Sequence, residues 1–129
     1  MEYELLDSKT KLKKWLSVEK AKYKAHSFWP IGKRWFDQDR LYCFNWVLRH
    51  YEFYKNTNKK FRCLFFHLIH NKQEIQYRIY IGPNQCGEGL HIMHLGTILF
   101  NGGVRTGKNL SIHINTCLVA GETVRKLTA

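Results

Sequence analysis

Apolar positions along the chain follow two different periods, and the change comes near residue 79. After Asp7 or Ser8, either of which can cap a helix, Leu12, Trp15 and Leu16 fall on one helical face. Phe28-Trp29-Pro30-Ile31-Gly32 interrupts this pattern, its Pro and Gly marking a loop. Beyond Asp37, the residues Leu41, Phe44, Val47, Leu48, Tyr51 and Tyr54 trace the stripe of a second, amphipathic helix. Asn56-Thr57-Asn58 breaks it. Phe61, Leu64, Phe65, Leu68 and Ile69 then recur at helical spacing and predict a third helix ending near His70-Asn71.

From Cys86 onward every sixth residue is mostly small or aliphatic: Cys86, Ile92, Ile98, Val104, Leu110, Thr116. A second ladder, two places on, reads Phe100, Thr106, Ile112, Leu118. A period of six belongs to neither a lone helix nor a flat strand; it fits a solenoid whose short strands turn a corner every hexad. Glycines such as Gly82, Gly87, Gly89, Gly96, Gly102, Gly103 and Gly107 suit those corners. The expected fold is α+β: a helical region over 1–78, then an incomplete left-handed parallel β-helix of hexapeptide repeats over 79–129. If the first and fifth positions of each hexad point inward, His94, third in its hexad, points outward. At Thr106-Gly107-Lys108-Asn109-Leu110 the register has slipped by two residues, which predicts an irregular corner around Asn101-Gly102-Gly103.

Composition changes this picture only in places. A chain of 129 residues is one domain's worth, and its 15% aromatic content can supply a core. The opening MEYELLDSKTKLKKW lacks the apolar segment of a secretory signal, and no apolar run reaches a membrane span, so a soluble cytoplasmic protein is expected. Cys43, Cys63, Cys86 and Cys117 form no CxxC pair; reduced packing residues are expected, with no metal. The formal charge is +11, concentrated between Lys9 and Arg34 among Trp15, Tyr23, Phe28 and Trp29, and again at Lys59-Lys60-Phe61-Arg62. Such a surface can meet nucleic acid, an anionic membrane or a phosphorylated cofactor, or simply be solvated; no nucleic-acid-binding signature accompanies it.

Histidines are the remaining candidates for chemistry. His91 and His94 form an HxxH pair, as do His67 and His70. His67 and His70 flank the third helical stripe and read as surface residues rather than ligands. His91 reads as solvent-facing on a strand, and His113 as outward between Ile112 and Ile114. Gly107-Lys108-Asn109 is not a P-loop, since the glycine-rich lead and the Ser/Thr are missing.

The segment GEGLHIMHLGTILFNGGVRTGKNLSIH, Gly87 to His113, resembles the repeat region of serine O-acetyltransferases, and most of all their relatives from capsular and exopolysaccharide gene clusters. The shared features are Gly-Leu-x-Ile-x-His at Gly89 to His94, Gly96 with the aliphatic run after it, and Gly107-Lys108-Asn109. The lead-in at Tyr54 to Lys59 and the segment Ile81-Gly82-Pro83-Asn84 are similar as well. The resemblance spans about Leu12 to Gly121. It implies a left-handed β-helix behind helices, a homotrimer, and transfer of acetyl from acetyl-CoA to a serine or sugar hydroxyl. The family's catalytic histidine matches His94, which would act as general base. Met93 stands where the serine enzymes carry an aspartate, which weakens serine as acceptor more than it weakens acyl transfer.

In that family the β-helix runs on for several more hexads, which hold a second histidine and much of the acetyl-CoA groove. By this resemblance the chain is expected to be a truncated member, ending soon after Gly121. Two other readings stand beside acetyl transfer: an inactive scaffold or oligomerisation module, and a basic protein that binds anionic surfaces. The truncation reading predicts little or no acetyl transfer by the 129-residue chain and recovery when the coils of a relative are appended. Release of CoA thiol by the two forms is the measurement; equal turnover would show those coils to be dispensable.

Overall fold

The structure, a computed structural model, describes residues 4–23 and 37–119. The loop expected at Phe28 to Gly32, and the part of the basic run beyond Tyr23, lie outside them. Helix α1 spans Lys9–Tyr23, and Ser8 caps it, its Oγ accepting the Lys11 amide at 3.2 Å. Its buried face is Leu12, Trp15, Glu19 and Tyr23. Helix α2 spans Asp37–Asn56 and buries Leu41, Phe44, Val47 and Leu48 of the expected stripe. Asn58, at a φ of 59°, makes the break.

Helix α3 covers Lys60–Tyr77, running well past Asn71. No Gly or Pro occurs between Asn71 and Gly82, and Lys72, Gln73, Glu74 and Gln76 are good helix formers, so nothing local stops it earlier. It ends where Arg78 turns left-handed and donates its amide to the Glu74 carbonyl. The face of α3 turned to α2 carries the buried His70 and Gln73, while Phe61, Leu64, Phe65 and Leu68 point to solvent. His70 therefore corrects the expectation of a surface residue: it packs against Phe44 and Tyr51 with ring centroids 5.3 and 5.5 Å away. His67 is exposed.

Five short strands follow: β1 Ile79–Tyr80, β2 His91–Ile92, β3 Ile98–Phe100, β4 Ser111–Ile112 and β5 Thr116–Leu118. Their pairings are parallel. β1, β3 and β5 form one sheet in that order, β2 and β4 a second, and an isolated parallel bridge joins Cys86 to Thr106 outside both. Ile79 pairs with Ile98 and Ile98 with Thr116; Cys86 pairs with Thr106, and Ile92 with Ile112. The step from Ile98 to Thr116 is three hexads, and that from Ile92 to Ile112 is three hexads with a small excess. The chain thus returns to the same ladder once every three hexads or slightly more. With the helices, this makes an α+β fold with small parallel sheets.

The pairings place the register slip where the sequence puts it. Cys86 meets Thr106 and Ile92 meets Ile112, so the step from Ile98 to Thr106 is two residues longer than a hexad and passes through the corner at Asn101-Gly102-Gly103. The surplus is taken back between Ile112 and Thr116, a step two residues shorter than a hexad. Five residues, 93–97, join β2 to β3, whereas three, 113–115, join β4 to β5. Gly96 lies against Ile114, and a Cβ there would overlap the Ile114 side chain, so the longer corner folds over the shorter one. Corner residues Asn84, Asn109 and Asn115 take φ near 60°, a conformation asparagine tolerates better than most.

One core joins the two parts. Tyr23, Leu41, Phe44 and Leu48 from the helices pack with Ile79, Ile81, Leu90, Ile92, Ile98 and Ile112 from the stranded part. Leu6, Leu12, Trp15 and Phe53 form a smaller cluster. Between them lies a buried polar network. Arg49 donates to Glu19 Oε2 at 2.7 Å, to Glu52 Oε1 at 2.8 Å, and to the carbonyls of Cys86 and Gly87 at 3.0 and 2.7 Å. Glu19 also accepts from Asn45 Nδ2 and from the amides of Gly89 and Leu90, and Glu52 from the Asn84 amide. The Arg49 guanidinium lies 4.8 Å from the Trp15 ring centre. Arg49→Met would remove the one cation that two buried carboxylates share and a donor to two carbonyls. A loss of about 3–5 kcal/mol is expected from urea unfolding; a change below about 1 kcal/mol would show that the network contributes little.

Candidate functional site

The corner at residues 93–97 is built from α1, α2 and the strands beside it. Tyr23, the last residue of α1, accepts the Ile92 amide on its hydroxyl at 3.0 Å. Burial pushes the Tyr23 phenol far up from its ordinary pKa, so it stays protonated. Lys22 reaches the Gly89 carbonyl at 2.8 Å and Asn109 Oδ1 at 2.9 Å, tying two successive corners together. Gly89 has φ of 91°, and a Cβ on it would meet Asn109 and the Lys22 ammonium, so only glycine fits. From the first turn of α2, Gln38 donates to the Met93 carbonyl at 3.0 Å. The peptide immediately before His94 is therefore held from the helical side.

His94 itself is exposed, as its hexad position suggests. Its ring neighbours that of His113, also exposed, with centroids 6.3 Å apart and planes inclined by 32°. The structure brings together these two histidines from successive coils. His91 departs from the solvent-facing expectation. Its ring stands edge-on to Tyr23 at 5.0 Å, it is half-buried, and its Nε2 is buried without a hydrogen-bond partner among the described residues. His91 and His94 thus point to different surroundings and do not act as a pair, and His67 and His70 lie on α3.

A cleft of about 330 Å³ opens at a different corner, lined by Lys55, Glu74, Tyr80, Gly82, Pro83, Gln85, Phe100, Gly102 and Arg105. It includes neither His94 nor His113. Among the described residues no group of three or more His, Cys, Asp or Glu is placed to hold a metal ion, and no helix is long and apolar enough to cross a membrane. Cys43 and Cys86 are buried, Cys63 half-buried and Cys117 exposed, and none of the four is joined in a disulfide. Burial pushes the Cys86 thiol up to about 11, which makes it a poor nucleophile.

Sequence reasoning does not single out Lys22, Tyr23, Gln38, Glu19, Arg49 or Glu52 as functional. For Glu19 a signal exists: it continues the Leu12, Trp15 spacing onto the same face, where an unpaired carboxylate would be costly. Arg49 and Glu52 likewise fall on the buried side of α2. Gln38 and Lys22 carry no such mark, because their partners are backbone carbonyls and an asparagine in a distant part of the sequence. Comparison of the chain with protein-family models, with curated proteins and with solved structures finds no match.

Two histidines titrate against the fold. Burial lowers the pKa of His50, the hydrogen bond to the Trp46 carbonyl opposing it, and burial with the Lys22 charge lowers that of His91. The folded state therefore binds fewer protons than the unfolded one. Stability is full above the ordinary histidine value of about 6.5 and is lost as pH falls below it toward the depressed values. The melting temperature is expected to drop between about pH 7 and pH 5, and the double variant His50→Gln, His91→Gln to show a shallower drop. An equal drop in the variant would place the sensitivity elsewhere.

Proposed function

We propose that the chain is a hexapeptide-repeat acyltransferase of the serine O-acetyltransferase type, whose strands wind as a left-handed parallel β-helix. It moves the acetyl group of acetyl-CoA to a hydroxyl, of serine or of a sugar, in the cytoplasm and as a homotrimer. The observation that carries this reading is the position of His94. It stands exposed on a corner two residues longer than the next one, beside His113, with its preceding peptide fixed by Gln38. A solvent-facing imidazole on a braced corner, longer than the one stacked against it, supports a role in chemistry over a role in packing. The parallel returns, each about three hexads long, support the winding.

In this reading His94 takes the proton of the acceptor hydroxyl as its oxygen attacks the thioester carbonyl carbon. The tetrahedral intermediate then collapses, the C–S bond breaks, and the sulfur leaves with the proton returned by the imidazolium. The products are the acetyl ester and free CoA. His113 is the one other imidazole at this corner among the described residues.

The trial is CoA thiol release with serine or a sugar as acceptor, using whichever form of the chain, as it stands or extended by further coils, turns over. His94→Ala is expected to lower the rate by about two to four orders of magnitude with unchanged circular dichroism. Near-normal turnover by the variant would remove His94 from the mechanism, and no release from either form would overturn acetyl transfer.

A further inference from the structure

We infer that the outward face of α3 is a docking surface for an anionic lipid membrane. The face is apolar and open: Phe61 is 91% exposed, Leu64 55%, Phe65 57%, Leu68 60% and Ile75 64%. At 3.6 residues per turn these five side chains occupy a stripe roughly 100° wide, on the side away from the His70 and Gln73 that α3 buries. Among the described residues nothing covers it.

The charges around the stripe decide what can. Lys60 and Arg62 are both exposed and fall on its two sides; Lys59 precedes it and Lys72 lies within it, exposed as well. The one acid of α3 is Glu74, half-buried, with its carboxylate 3.2 Å from His70 Nε2 on the inner side. The exposed surface of the helix is thus made of apolar, neutral and cationic groups, on a chain of net charge +11. A second copy would bring an identical cationic rim against the first and would gain only five apolar side chains a side, where ordinary interfaces use roughly 20–30 residues. An anionic bilayer complements both features. Apolar side chains enter the headgroup–acyl boundary while Lys and Arg stay among the phosphates and carboxylates. The helix is already formed and held by α2, so no ordering of a free peptide is needed.

The experiment is co-sedimentation of the full chain with vesicles of phosphatidylcholine alone and of phosphatidylcholine mixed with phosphatidylserine. Binding is expected to the mixed vesicles, to weaken with added salt, and to be slight with the neutral ones. Phe61→Ser with Phe65→Ser, both at solvent-facing positions, is expected to weaken binding by about tenfold or more, with the thermal transition retained. Lys60→Glu with Arg62→Glu, which leaves the apolar stripe intact, is expected to weaken it too. No affinity for the mixed vesicles, or affinity indifferent to both double variants, overturns the proposal. So does a dimer in light scattering that the phenylalanine variant dissolves while vesicle binding is absent; the face would then belong to a second copy.

Discussion

The pairing of Glu19 with Arg49 is the constraint on which the rest depends. Both side chains are fully buried, and each also bonds the backbone of the loop at residues 86–90. A carboxylate and a guanidinium cannot be taken from water separately without a large desolvation cost. The two helices and the first strand-bearing loop must therefore be in place together for either charge to be buried. This gives the helical and stranded parts one shared core, in which Tyr23 from α1 sits against Ile92 and the strands have a wall to pile on.

The helices are legible in the sequence because an apolar stripe at a 3.6-residue period arises in little else than a helix. The capping serine and the break at Asn56 to Asn58 can likewise be read from residue type. The period shows that a face is apolar; it does not say what lies against it. For α2 the stripe meets the core, whereas for α3 the side turned to α2 carries His70 and Gln73, and the apolar stripe faces away. His70 is misread from sequence for the same reason. The ladders of six anticipate the parallel pairings, since each return is three such steps with small corrections. They also locate the irregular corner, since the two-residue shift after Phe100 is what sets Cys86 against Thr106 and Ile92 against Ile112 while keeping inward positions inward.

Around His94 the outward direction follows from the hexad count, and the surroundings do not. Its neighbours are supplied by residues far away in sequence: Gln38 on the preceding peptide, Tyr23 on the strand, His113 from the following coil. Contacts of that kind follow from the three-dimensional path, which local pattern does not encode. His91 illustrates it. Strand alternation turns it outward from the stack, but the end of α1 crosses that side, so an outward residue becomes half-buried.

The buried network also sets the order in which the chain can fold. Glu19 meets the amides of Gly89 and Leu90, which lie 70 and 71 residues further along the chain. The α2–α3 hairpin is local and can form early, and α1 packs on α2 through Trp15 and Phe53, but Glu19 has its full set of donors only once the loop at residues 86–90 has closed over Arg49. During synthesis α1 leaves the ribosome before its partners and is completed after them. Closing so wide a loop costs chain entropy before any of its contacts are rewarded, whereas each further turn adds onto an edge already in place.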